Sequence, residues 1–146
     1  HPPRTVDARP EVELSALMSA GTRRILITED NLVNQTVAKR MLMKGGFDVD
    51  VAENGEQALR KVTSGVEYDL IFMDCQMPRM DGYEAARRIR EHEKSSAVGA
   101  HVPIVALTAN AMQGDREKCL QAGMDDYVSK PVKKEALFEM LRRHLG

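Results

Sequence analysis

The sequence predicts a doubly wound α/β domain, with a five-stranded parallel sheet and helices on both faces. Three observations lead there. Strand-like and helix-like segments alternate five times along most of the 146 residues, and that order builds a parallel sheet joined by right-handed crossovers. The runs ILIT (25–28) and LIFM (70–73) are continuously apolar, as strands buried on both faces are. Each strand-like run also stops at a polar or charged residue, and parallel strands bring all such ends to one edge of the sheet.

Taken in order, the first 21 residues read as a linker, since HPPRTVDARP holds three prolines and little to bury. Within it, Val12, Leu14, Leu17 and Met18 could line one side of a short helix, a pattern too brief to be stable alone. The domain proper runs from 22 to 146. After ILIT, the residues Val33, Val37, Met41 and Leu42 recur at helical spacing until Gly45 and Gly46 stop the helix. FDVDVA (47–52) alternates and belongs nearer a sheet edge. A second helix follows, with Asn54 as its cap and Gly65 as its end. LIFM is the third strand, and the helix from Gly82 to about Lys94 turns Ala85, Ala86 and Ile89 inward. SSAVGAHV is a connection, and IVAL (104–107) is a fourth strand ending at Thr108. A helix over 115–122 stops at Gly123, and Tyr127 and Val128 make a brief fifth strand before Lys130. A final helix over 133–145 buries Ala136, Leu137, Met140 and Leu141. The first and third strands, being the most apolar, take central places.

Composition narrows the function. A chain of 146 residues suits one domain. With Lys plus Arg at 21 against Asp plus Glu at 22, no large basic field exists to hold nucleic acid. No apolar run approaches the ~20 residues of a membrane span, so this domain is expected to make no membrane contact. Cys75 and Cys119 are the only cysteines, and two thiols without metal-type spacing suit a reducing, cytoplasmic compartment. They read as buried small hydrophobes. His92, His101 and His144 read as solvated. A start at His1 rather than Met fits a piece of a longer protein.

The strand ends carry the chemistry. Strand one delivers Glu29 and Asp30, strand three Asp74, strand four Thr108 and strand five Lys130. In doubly wound sheets, ligands bind beyond the carboxyl ends of the strands. Carboxylates sharing such a cleft repel by about 4 kcal/mol per pair at ~4 Å in an effective dielectric of about 20. Lys130 offsets part of this, and an oxygen-rich set suits Mg²⁺ for the rest. Asp74 is then placed to act as a nucleophile toward phosphorus. Thr108 and Lys130 would each meet a phosphoryl oxygen. Any one of these residues has a plainer reading, since an aspartate after a strand is usually a turn residue or a cap. Their coincidence favours a phosphoryl-accepting site.

The motifs EDN, FMDCQMPRMDG, LTAN and SKP together resemble the receiver domain of two-component response regulators, over about 24–145. The segments DCQMPRMDGYEAARRIR and ALTANAMQGDREKCLQAGMDDYVSKPV are similar to receivers of hybrid sensor histidine kinases. The resemblance implies a three-layer, flavodoxin-like (βα)5 fold with strand order 2-1-3-4-5. It implies Asp74 as phospho-acceptor, with Asp30 as direct metal ligand and Glu29 as its partner. The metal is Mg²⁺, and the Gln76 backbone carbonyl completes its shell. Thr108 and Lys130 match the phosphate-sensing pair and Tyr127 the aromatic switch that turns inward when Thr108 moves. Gln76 and Asn110 fall where the family tunes hydrolysis of the acyl phosphate. Implied partners are a histidine kinase domain, in the same chain, and a histidine phosphotransfer protein, with the parent kinase in a membrane.

Three alternatives stand beside this reading. A free-standing regulator would carry the same motifs. A phosphohydrolase of the haloacid dehalogenase type would also use a strand-end aspartate and Mg²⁺, but it wants a second aspartate where this chain has Gln76. A receiver-like docking module would not keep every acidic position.

Overall fold

A computed structural model describes residues 23–95, 101–109 and 113–145. The expected linker and its short helix, most of the connection after the third helix, and Asn110 lie outside the described residues. Five parallel strands form one sheet: β1 (Arg24–Thr28), β2 (Asp48–Ala52), β3 (Leu70–Asp74), β4 (Ile104–Thr108) and β5 (Asp126–Ser129). Their spatial order is β2-β1-β3-β4-β5, so the alternating strand lies at an edge and the apolar β3 at the centre. The helices are α1 (Leu32–Lys44), α2 (Gly55–Thr63), α3 (Gly82–Ser95), α4 (Gln113–Gln121) and α5 (Lys134–Leu145).

Side chains along a strand point alternately to the two faces, and the core divides accordingly. Ile25, Ile27, Phe72, Val105 and Leu107 pack with Ala38 and Leu42 of α1 and with Leu137, Phe138 and Leu141 of α5. Leu26, Ile71, Met73, Ile104 and Ala106 pack with Ala58 of α2, Ala85, Ala86 and Ile89 of α3, and Cys119 of α4. Every residue of β3 and β4 is buried. Each large apolar side chain so buried contributes about 1.5–3 kcal/mol, and a one-residue slip would turn that contribution outward. The register is therefore tightly specified. It pairs Thr28 with Met73, Asp74 with Leu107, and Thr108 with Ser129, which brings the five strand-end residues to one level.

Several expectations need correction. In α1 the buried residues are Gln35, Ala38 and Leu42. Val33 is 69% and Val37 44% exposed, along with Leu32. Periodicity found the helix and, in Leu42 and Met41, part of its inward face, but Val33 and Val37 lie outside that face because this helix carries apolar residues on two sides. Helix α4 starts two residues before Asp115, and α5 starts at Lys134. In α5, Phe138 is buried and Ala136 only partly so. His144 is not freely solvated, since its Nε2 lies 3.1 Å from Asp126 Oδ2 in a half-buried position.

Candidate functional site

Local sequence fixes the first two acids. Asn31 caps α1 by accepting from the Asn34 N–H at 3.0 Å, a role for which its short amide is well suited. The Gln35 side chain, one turn on, donates to the Glu29 carbonyl at 2.6 Å, and the Asn31 N–H donates to Glu29 Oε2 at 3.1 Å. The EDN turn is thereby clamped where β1 meets α1. At the end of β3, Gly82 returns the chain by donating to the Cys75 carbonyl at 3.1 Å. A Cβ on Gly82 would stand 2.2 Å from the Asp74 carbonyl oxygen, so only glycine allows this loop to close against the acid it presents. Asp81 then caps α3 by accepting from the Glu84 N–H at 2.9 Å.

These elements enclose a cleft of about 220 Å³ lined by Glu29, Asp30, Asp74, Gln76, Thr108 and Lys130 among others. Five residues separated along the chain thus meet where the strand-end argument placed them. Carboxylate oxygens of Glu29, Asp30 and Asp74 all lie within 4.8 Å of one another. Lys130 Nζ donates to Asp74 Oδ2 at 2.6 Å and lies 3.3 Å from Glu29 Oε1. The Gln76 N–H donates to the other Asp74 oxygen, Oδ1, at 3.1 Å. Thr108 Oγ1 donates to Asp115 Oδ2 at 3.3 Å, while the Lys130 N–H is tied to the Thr108 carbonyl at 2.8 Å.

The electrostatics are unbalanced. Glu29 is 2% and Asp74 3% exposed, and a buried carboxylate costs several kcal/mol unless paired (about 3–5 when its partner is removed). Asp30, though exposed, has its pKa raised, first by desolvation and then by hydrogen bonding and charge from Glu29. Burial works against the charge on Lys130, but its hydrogen bond and attraction to Asp74, with Glu29 behind, outweigh that and raise its pKa. One amine thus faces three carboxylates. The donor set is all hard oxygen, with room beside it, and this fits a small divalent cation such as Mg²⁺.

Two expected site residues stand apart. Tyr127 does not line the cleft. It is half-buried on β5, level with Ala106, with the Arg116 guanidinium 5.8 Å from its ring. Asn110 falls outside the described residues. Among the residues that sequence reading missed and that line the cleft are Tyr83 and Asp115. Each sits in the first turn of a helix that leaves a strand-end loop, and that placement was the available signal.

Comparison with known proteins gives a consistent result. Residues 25–142 match the response regulator receiver domain family. The chain is 44% identical over 144 residues to hybrid signal transduction histidine kinase B of Dictyostelium discoideum, covering 93% of this chain and 7% of that protein. It is 42% identical to histidine kinase 2 of Arabidopsis thaliana, covering 83% of this chain and 12% of that one. The chain therefore spans a small part of the curated relatives it matches. Among solved structures, it resembles the receiver domain of a sensor histidine kinase from Pseudomonas aeruginosa, which holds a magnesium ion in its active-site cleft. The TM-score there is 0.75 at 48% identity, covering 86% of this chain and 99% of that one. It also resembles the complex of the Saccharomyces cerevisiae histidine phosphotransfer protein Ypd1 with the receiver domain of Ssk1, at TM-score 0.79 and 38% identity, covering 84% and 88%.

Proposed function

Because this chain belongs to the response regulator receiver domain family, we propose that it accepts a phosphoryl group from a phosphohistidine onto Asp74 in a Mg²⁺-dependent reaction. The observation that carries this reading is the Lys130 amine 2.6 Å from the Asp74 carboxylate, beside carboxylate oxygens of Glu29 and Asp30 that lie within 4.8 Å of it. Glu29, Asp30, Asp74 and the backbone carbonyl of Gln76 would hold the cation. Bound there, it would neutralise charge on the transferring phosphoryl oxygens.

The rest falls to the chain's own groups. The Gln76 N–H and Lys130 each hold one oxygen of Asp74, which orients an ionised carboxylate with no need of a general base. An Asp74 oxygen attacks phosphorus, the bond to the donor imidazole breaks, and its electron pair leaves on that nitrogen. Lys130 then meets a phosphoryl oxygen. The Thr108 hydroxyl exchanges Asp115 for another phosphoryl oxygen, which gives the phosphorylated and free forms different contacts and so shifts the balance between two conformations. Tyr127 follows Thr108 as the switch residue, and Gln76 and Asn110 tune hydrolysis.

The phosphodonor has to cover the mouth of the cleft to bring its imidazole to Asp74. Beside the acidic turn, Leu32, Val33 and Val37 are exposed. Val37 also lines a groove with Met41, Pro131 and Val132, an apolar surface suited to a docked helix. A histidine phosphotransfer protein, or a kinase domain of the same polypeptide, is the proposed partner. The hybrid-kinase context is proposed from the relatives, with the domain on the cytoplasmic side. Among the described residues no helix is long and apolar enough to cross a membrane.

Incubation with acetyl phosphate and Mg²⁺ tests the reading. The expected result is a mass gain of one phosphoryl group on Asp74, absent without Mg²⁺ and absent in Asp74→Asn. Label on another residue, or steady turnover of phosphomonoesters, would overturn it.

A further inference from the structure

Two buried thiols, one of them next to the phospho-acceptor, play no part in the transfer chemistry. Cys75 follows Asp74 directly at the end of β3 and lines the cleft. Cys119 lies on α4, and the two sulfurs are 3.8 Å apart. The residues are 3% and 2% exposed, and the cleft that Cys75 lines is the open side of the pair. A disulfide needs its sulfurs at about 2.05 Å, which asks the two elements to close by less than about 2 Å. The surroundings set the two thiols apart. Hydrogen bonding with Cys75 is the first cause that favours the thiolate of Cys119.

We infer that Cys75 and Cys119 form a two-electron oxidation site, closed to a disulfide by hydrogen peroxide, that ties the phospho-acceptor loop to α4. Cys119 sulfur attacks one peroxide oxygen. The O–O bond breaks, and the departing hydroxide takes a proton to become water, leaving a sulfenic acid. Cys75 sulfur then attacks the Cys119 sulfur. The S–S bond forms, the S–O bond breaks, and the leaving hydroxide takes the Cys75 proton as a second water. Two thiols are oxidised and one peroxide is reduced.

The consequence for signalling rests on the phospho-acceptor reading above. Asp115 stands one helical turn before Cys119 and accepts the Thr108 hydroxyl. A covalent tie at Cys119 holds that turn of α4 against the cleft and keeps Thr108 on Asp115. The oxidised domain therefore takes up the phosphoryl group about tenfold more slowly, the effect of withholding one hydrogen bond to a charged group.

The test begins with the reduced, unphosphorylated chain treated with hydrogen peroxide and mapped by mass spectrometry without reductant. The expected result is a mass lower by two hydrogen atoms, a joined Cys75–Cys119 peptide pair, and reversal by dithiothreitol. Cys119→Ser should lose the joined pair, and its phosphorylation rate should be indifferent to peroxide. Oxygen adducts alone, disulfides between chains, or no mass change in the unsubstituted protein overturn the site. A disulfide that leaves the rate of labelling by acetyl phosphate unchanged overturns the coupling to Thr108. If the reduced protein takes no label at all, the phospho-acceptor reading fails while the mass result still decides the thiol pair.

Discussion

At the carboxyl ends of the strands, Glu29, Asp30 and Asp74 crowd around Lys130. At the amino ends, Arg90 gathers Glu93 and Asp125 at 2.8 and 2.7 Å. Both clusters set carboxylates around a basic side chain, and both are substantially buried. Their accounts differ. Around Arg90 every carboxylate oxygen has a donor. Glu93 takes Arg90 on one oxygen and the Val102 N–H at 2.7 Å on the other. Asp125 takes Arg90 and the Ile104 N–H on one, and lies 2.8 Å from His101 Nε2 on the other. Arg90 also donates to the Gly123 and Val102 carbonyls, both at 2.8 Å. Around Asp74 the Glu29 and Asp74 oxygens also have donors, but three carboxylates share a single lysine. The Arg90 network fastens α3 to the start of β4. The lysine cluster leaves a demand for positive charge, which a metal ion and a phosphoryl-binding geometry can meet.

The largest effect that tests this contrast is on stability. Arg90→Met leaves two carboxylates and two carbonyls without their shared donor in a site where the arginine side chain is only 13% exposed. Removing one partner of such a pair costs about 3–5 kcal/mol, a large share of the roughly 5–15 kcal/mol that holds a domain together. Urea denaturation followed by far-UV circular dichroism should show that loss. The molecules that remain folded should still label on Asp74. A loss under about 1 kcal/mol would mean the amino-end cluster is no more structural than an ordinary surface pair.

The next effect is on chemistry. Lys130→Met removes the only cation among the described residues lining the cleft. Labelling by acetyl phosphate should slow by about 10²-fold, the usual cost of losing one preorganised donor to transferring charge. Mg²⁺ affinity, measured by isothermal titration calorimetry, should rise, because the carboxylates lose a competing positive neighbour. A parallel fall in labelling and metal affinity would show that the lysine only supports the shape of the site.

The two ends also differ in how far the sequence disclosed them. The site residues were legible because parallel topology turns a one-dimensional pattern, a polar residue after each apolar run, into a spatial cluster. Gln35 and Asp115 were not, since what they contact depends on how α1 and α4 lie across the sheet. The Arg90 network was largely invisible for the same reason: Glu93 follows a helix spacing of three, but the other partners sit 12, 33 and 35 residues away, where no spacing rule reaches. Val33 and Val37 misled differently. Apolar periodicity marks a face without saying what covers it, and in α1 Val33 and Val37 stay exposed while Ala38 and Leu42 are buried.

The smallest effect separates the clusters by pH. Mg²⁺ at about three times its dissociation constant should stabilise the domain by about 0.8 kcal/mol through mass action, as a rise in melting temperature. That gain should fade as acid is added, beginning above the ordinary carboxylate value of 3.8, because Asp30 has a raised pKa, set by burial first and by Glu29 next, and a proton on it excludes the cation. The sign for the metal-free protein is opposite. A carboxylate whose folded pKa exceeds its unfolded value of 3.8 contributes stability that is full below that value and is lost as pH rises through the folded pKa. The metal-free and metal-bound curves should therefore converge on acidification. Asp30→Asn should hold the metal-free protein near its acid-side stability at neutral pH, while removing most of the Mg²⁺ gain. A Mg²⁺ stabilisation that persists undiminished after this substitution would place the cation somewhere other than the three-carboxylate cluster.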